Sequence, residues 1–219
     1  MHIRIKTLRL LFLFTLTLIL WHFDLSSQAH KSFKADFTIL ERNSLKNDSK
    51  ILKGNVNYSK PDNRLDFLIN FPESQKWVII DSTMQKYRND TLFGTSVVRG
   101  YQDLAVFKEL LELKSNDFGL REYGFEMADV STLDGTVYVE WLPPASFKTF
   151  IKSVTTASRE NLLQGVIFTD VEDKDFSSTL FEDYTFVEDL PIPLKITQHF
   201  IGKEENIFKT IYFENIEVK

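Results

Sequence analysis
The sequence predicts a mainly β fold with one or a few helices, and three observations carry that reading. Phenylalanine is over-used, with 20 Phe against three Met, and apolar residues recur at every second position along much of the chain. That period is the mark of strands with one buried face. Clusters of Pro, Gly, Asn and Asp punctuate those stretches as turns do. One stretch, 101–113, breaks the rhythm: Leu104, Val106, Phe107, Leu110, Leu111 and Leu113 fill about half of a helical wheel, with Gln102, Lys108, Glu109 and Glu112 mainly on the other half.

Residues 1–29 read as a processing segment. Arg4, Lys6 and Arg9 form a basic start, 10–21 is an apolar run broken by Thr15 and Thr17, and Ser27-Gln28-Ala29 offers a small-x-small cleavage site. Such a run reaches about 18 Å as a helix, short of the roughly 20 residues that span a bilayer comfortably. Cleavage after Ala29 is expected; extended over 21–23, the same run would stay as an anchor. A single domain, 30–219, follows, with no internal repeat or linker.

Within it, Ser32-Phe33-Lys34-Ala35-Asp36-Phe37 reads as an aromatic-anchored strand. Leu52, Gly54, Val56 and Tyr58 then alternate with Lys53, Asn55 and Asn57, and Lys60-Pro61-Asp62-Asn63 makes a turn. Leu65, Phe67, Ile69 and Phe71 are expected on one face, and Arg64, Asp66 and Asn70 on the other. Pro72, which lacks an N–H for the ladder, closes that strand. A short apolar strand, 77–80, precedes a turn at 81–83. The 101–113 helix is stopped by Ser115-Asn116-Asp117 and Gly119. Residues 144–154 predict a short helical turn or a loop. Strands over 137–142, 164–171, 180–187, 194–201 and 207–218 complete the pattern, with turns at 189–193 and 202–206.

Composition excludes several functions. Without the first 29 residues the chain carries 23 basic and 30 acidic side chains, about −7. That balance opposes nucleic acid, where a basic face supplies most of the affinity, and tight adhesion to an anionic membrane. There is no cysteine, hence no disulfide, thiolate metal site, cysteine nucleophile or lipid-modified N-terminus. A secreted chain without disulfides fits a bacterial periplasm. After the leader only His30 and His199 remain, in no metal-ligand spacing, and His199 is expected to face solvent beside Lys195 and Thr197. Acidic runs such as Glu172-Asp173-Lys174-Asp175 read as hydrated loops. Asn47-Asp48-Ser49 and Asn89-Asp90-Thr91 match the glycosylation pattern, which is too common to carry weight. No catalytic, cofactor or metal site is expected, and the chain reads as a non-enzyme.

The apolar stripe Leu65, Phe67, Ile69, Phe71, Trp77 and Ile79 serves either as core beneath a sheet or as the wall of a cavity. One helix of about 13 residues cannot cover a sheet of nine or more strands, so other groups fill the inner face or it stays partly open to an apolar guest.

The order of motifs resembles the periplasmic outer-membrane lipoprotein carrier (LolA-like) family over most of 30–219. Phe33, Ala35 and Phe37 match an aromatic-x-Ala-x-Phe strand start. Gly54, Lys60 and Pro61 match a Gly-containing strand running into a basic residue and proline. Phe67 and Phe71 match a strand of aromatics, and Val78, Ile79 or Ile80, and Asp81 match a Val-Ile-x-Asp element; Ile211-Tyr212-Phe213-Glu214-Asn215-Ile216 looks like the last strand. The resemblance implies a half-open, strongly curved antiparallel β-barrel with a helical lid over an apolar cavity. It implies a carrier of acylated lipoproteins, loaded by an inner-membrane releasing complex and emptied into an outer-membrane acceptor. Leu65, Phe67, Ile69, Phe71, Trp77, Leu104, Phe107 and Leu111 would line the cavity. Lys60, where the family has arginine, would latch the lid without arginine's rigid fork. The family's helix ahead of the first strand has no counterpart, since only His30, Lys31 and Ser32 precede Phe33. A monomer is expected, bound to no nucleic acid. A related carrier of another lipid or an apolar pigment, and an adaptor β-domain with a self-filled core, are the other readings.

Overall fold
A computed structural model describes residues 32–45, 48–80, 83–97, 117–187, 190–202 and 205–219. They form one antiparallel sheet of 13 strands. In chain order these are β1 (Ser32–Asn43), β2 (Asp48–Ser59), β3 (Arg64–Phe71), β4 (Gln75–Ile80), β5 (Thr83–Arg88), β6 (Thr91–Val97), β7 (Glu126–Leu133), β8 (Thr136–Leu142), β9 (Ser153–Arg159), β10 (Leu162–Thr169), β11 (Asp175–Val187), β12 (Leu190–Ile201) and β13 (Asn206–Val218). The spatial order is β6-β5-β4-β3-β2-β1-β13-β12-β11-β10-β9-β8-β7. Every neighbour is also a sequence neighbour except at the centre, where β1 lies beside β13. Ser32 and Lys219 close that seam by exchanging backbone hydrogen bonds of 2.9 and 3.1 Å.

Tight turns set the register. Asn89-Asp90, Asp134-Gly135 and Glu160-Asn161 each place two consecutive residues at positive φ, the pairing that matches the twist of the flanking strands. Bulges then bend the sheet. Asn215, at positive φ inside β13, is left out of the ladder at the bulge between β1 and β13. At the seam, Asp36 accepts hydrogen bonds from Asn215 of β13 (2.6 Å) and Asn55 of β2, so one carboxylate ties three strands on the convex side. A flat sheet of this width would measure roughly 58 Å across at the usual strand spacing, and sheets this wide curl.

The core lies on the concave face. Ile39, Ile211, Ile196 and Phe181 stand opposite one another on β1, β13, β12 and β11 and are all buried. Phe37 and Phe67 meet edge to face, centroids 5.5 Å apart. The described end of the connection between β6 and β7, residues 117–125, packs into this core through Phe118, Leu120 and Phe125, with Phe118 5.8 Å from Phe181.

Several expectations change. Phe71 does not share the face of Leu65, Phe67 and Ile69. A bulge shifts the register so that Ile69 faces Gly54 but Phe71 faces Lys53, and Phe71 is half exposed. The expected 101–113 helix lies outside the described residues, and so does the leader; among the described residues there is no helix. Residues 144–151 make a helical turn through Phe147 N–H to Pro144 and Ile151 N–H to Phe147.

Gly54 is where the fold depends on a missing side chain: an added Cβ would sit 2.0 Å from the Leu68 carbonyl oxygen, whereas at Gly94 the nearest atom is 3.9 Å away. Gly54→Ala is therefore expected to lose about 1–3 kcal/mol or more, and Gly94→Ala to stay within about 0.5 kcal/mol. Urea unfolding of the two variants side by side checks this.

Candidate functional site
The concave face has an apolar half and a mixed half. On the β1–β5 side, Leu65 faces Ile79, which faces Met84, and Phe67 faces Trp77, which faces Lys86. Leu65, Phe67, Ile69, Ile79 and Met84 are buried and Trp77 half-buried. The Trp77 indole N–H donates to Gln75 Oε1 at 3.0 Å, and the Lys86 ammonium lies 4.6 Å from the ring centroid. That cation–π contact holds Lys86 against an aromatic rather than leaving it loose.

On the β7–β13 side the wall changes character. Register aligns Glu41, Lys209, Gln198, Thr179, Val166 and Thr156 across β1, β13, β12, β11, β10 and β9. Lys50 of β2 extends the row, its Nζ 3.9 Å from Glu41. Lys209, Gln198, Thr179 and Thr156 are buried. Thr156 accepts a 3.0 Å hydrogen bond from the Trp141 indole. The Gln198 carboxamide is fully buried, and neither its oxygen nor its nitrogen has a hydrogen-bond partner among the described residues. Leaving such a group unpaired costs roughly 1–3 kcal/mol, and the apolar face would be more stable with leucine there. Sequence reading missed this row. Gln198 sits between Thr197 and His199, where the local pattern is polar on both faces.

Past this row the far edge of the wall is again apolar where it meets water. Met127 and Val130 of β7, 54% and 51% exposed, stand opposite Trp141 and Val139 on the same face. Beyond them, Phe150, Phe147 and Phe125 form a ladder from exposed to buried, with centroid spacings of 5.8 Å.

Of the cavity residues expected from sequence, Leu65, Phe67, Ile69 and Trp77 come together on the concave wall, Phe71 points away, and Leu104, Phe107 and Leu111 lie outside the described residues. Lys60 is exposed in the β2–β3 turn, where its carbonyl accepts from Asn63 N–H at 3.1 Å. The nearby basic group that grips a carboxylate is Arg64, through bonds of 2.8 and 2.9 Å to Asp66; that hydrogen bonding raises the guanidinium further above its usual range. His199, expected in solvent, is half-buried on the convex side and stacks on Phe208 at 4.1 Å.

An open antiparallel half-barrel whose concave face is largely apolar defines the LolA-like fold, and three solved structures share it. A LolA superfamily protein from Nitrosomonas europaea aligns at a TM-score of 0.60 and 12% identity, covering 87% of each chain. A putative outer membrane lipoprotein-sorting protein domain from Vibrio parahaemolyticus aligns at 0.60 and 9%, covering 86% of each. A DUF1329 family protein from Desulfovibrio piger aligns at 0.59 and 13%, covering 86% of this chain and 85% of its own. No family model matches the sequence, and no curated protein matches it. Among the described residues no helix is long and apolar enough to cross a membrane.

Tyr184 gives the mixed half a pH limit. Its hydroxyl donates to the Leu163 carbonyl at 2.6 Å, and burial pushes the phenol well above its ordinary value of 10.0. The folded state thus keeps a proton that the unfolded chain releases, so stability is intact below pH 10 and falls as pH rises beyond it. Thermal melts from pH 8 to 11.5 are expected to show that decline, and Tyr184→Phe to flatten it while losing about 0.5–1.5 kcal/mol at neutral pH.

Proposed function
We propose that this protein is a periplasmic carrier that binds the acyl chains of lipoproteins on its concave face and shuttles them toward the outer membrane. One observation carries the proposal: a curved sheet presents a largely apolar concave face, from Met84 and Trp77 across to Trp141 and Val139, that ends on β7 in the half-exposed Met127 and Val130. A wall serving only as core would turn polar where it meets water. The fold shared with a putative lipoprotein-sorting domain supports the same reading. Acyl chains transfer to apolar surface at about 0.8 kcal/mol per methylene, so a wall of this extent holds a chain in water without covalent help. Leu65, Phe67, Ile69 and Trp77 would contact the chain, with Leu104, Phe107 and Leu111 supplied by the connection between β6 and β7. Lys60 would latch that connection as a point charge. An inner-membrane releasing complex would load the carrier and an outer-membrane acceptor would empty it. The mixed chemistry of the Lys209–Gln198 row favours, as the second reading, a carrier of another lipid.

Native mass spectrometry of the protein released gently from its own cell envelope separates these readings. An adduct with the mass of an acylated protein supports lipoprotein carriage, and a small lipid adduct supports the second reading. Protein that emerges empty from cells rich in both rejects the carrier. In solution, Trp77→Glu, at a half-buried position, is expected to keep the far-UV circular dichroism spectrum and weaken a fluorescent acyl-chain probe by about tenfold or more. Unchanged probe affinity would remove Trp77 from the site.

A further inference from the structure
We infer that the convex face carries a docking surface for a second copy of this chain, so that two molecules pack back to back with both concave faces open. The inference does not depend on what the concave face carries. The outer face of an open antiparallel sheet meets water and is expected to be polar along its strands. Toward the Ser32–Lys219 end it is, with Lys34, Asp36, Asn55, Asn57 and Glu214. Farther along the same strands it turns apolar. Leu40 of β1 lies between Ile51 of β2 and Thr210 of β13, and the row continues through Thr197 to Leu180 of β11. Phe208 and Tyr212 flank Thr210 on β13, and the stacked His199 ring holds Phe208 in place. Leu40, Ile51, Leu180, Phe208 and Tyr212 are 38–48% exposed. They leave a few hundred Å² of apolar surface open, the extent at which a patch on a soluble protein is often functional. Two copies, with the threonines and the polar rim, reach the lower range of specific interfaces, roughly 1,200 Å².

The shape and charge of the patch select a second copy. Two convex surfaces touch only near their line of closest approach, and this patch runs from β2 to β11 with β13 at its middle. A two-fold axis along β13 brings Phe208, Thr210 and Tyr212 to their own counterparts and Ile51 to the second copy's Leu180. In the row of Tyr212, the exposed Lys53 on β2 then comes to the second copy's Glu182. Glu182 accepts from Lys195 at 3.0 Å and from Thr197 at 3.1 Å, and its two oxygens have a lone-pair site left for another donor. A two-fold running across the strands would instead set Lys53 beside the second copy's Arg42, and like charges oppose association. A bilayer would desolvate the Lys195–Glu182 pair and return nothing for it.

Sedimentation equilibrium of the protein released from its cell envelope is expected to show monomer and dimer exchanging over about 1–200 μM, as befits an interface of modest area. Leu180→Glu and Ile51→Lys, both at half-exposed positions, are each expected to weaken the dimer about tenfold or more. Combined in one chain they are expected to regain most of that loss, because the axis sets each new lysine against a new glutamate. The chain has no cysteine, so Thr210→Cys provides a second readout that leaves the apolar patch intact. A short bismaleimide is expected to join that residue to its own counterpart, and to leave Leu92→Cys, at the β6 edge, monomeric. A protein that stays monomeric throughout, or a Thr210→Cys variant that does not cross-link, would overturn the inference. So would a dimer that neither single substitution weakens, or a double variant no tighter than the singles. Binding of the monomer to phosphatidylglycerol vesicles, lost in Leu180→Glu, would assign the patch to a membrane and overturn the dimer.

Discussion
Everything in this molecule depends on the pairing of its first and last strands at the centre of the sheet. With β1 against β13, the two halves of the chain run outward in opposite directions and end as far apart as the sheet allows. Two outermost strands follow, and the segment 98–125 has to join them. Its described end lies on the concave face, where Phe118 and Leu120 are buried against the β11 side of the wall. Curvature and coverage of the face are thus two results of one pairing. Asp36, bonded to asparagines on both neighbouring strands, reinforces the place where they originate.

The face itself balances two demands. Aromatic and branched residues supply the burial that holds so wide a sheet together, each large one contributing about 3–5 kcal/mol against truncation to alanine. A wall made only of such residues would be core and nothing more. The row from Lys50 to Thr156 interrupts it with charge and amide, exposed at Lys50 and buried from Lys209 to Thr156. Stability alone does not select glutamine at a fully buried strand position without partners.

Much of this was legible in the residues. The alternation at Leu65, Phe67 and Ile69 gave the concave face of β3 directly, and Phe33, Ala35 and Phe37 gave β1. The motif order pointed to a fold that solved structures share at 9–13% identity. What escaped has physical causes. Strands β5, β6, β7 and β9 carry sequences such as Ser-Val-Thr-Thr-Ala-Ser-Arg, whose inner face holds hydroxyls, so no apolar period announces them. Asn89-Asp90 looks like part of a glycosylation triplet and is a hairpin turn. Phe71 obeys the alternation until a bulge, which no side chain in β3 signals, turns it over. Gln198 was hidden because its neighbours Thr197 and His199 are polar as well, so the stretch reads as solvent-exposed although Gln198 is fully buried.

The seam also governs how the chain finds its structure. Apart from β1 and β13, every strand pair closes over a hairpin or the next connection, so nearly all of the sheet forms from neighbours in sequence. Such local pairings form quickly, whereas contacts between distant segments are slow because the loop between them must be closed first. The protein is kinetically two meanders and one zipper. Until the zipper shuts, each meander shows a second bare edge, β1 or β13, that the finished sheet pairs, and an apolar face without its other half, the state in which such chains are most exposed to aggregation.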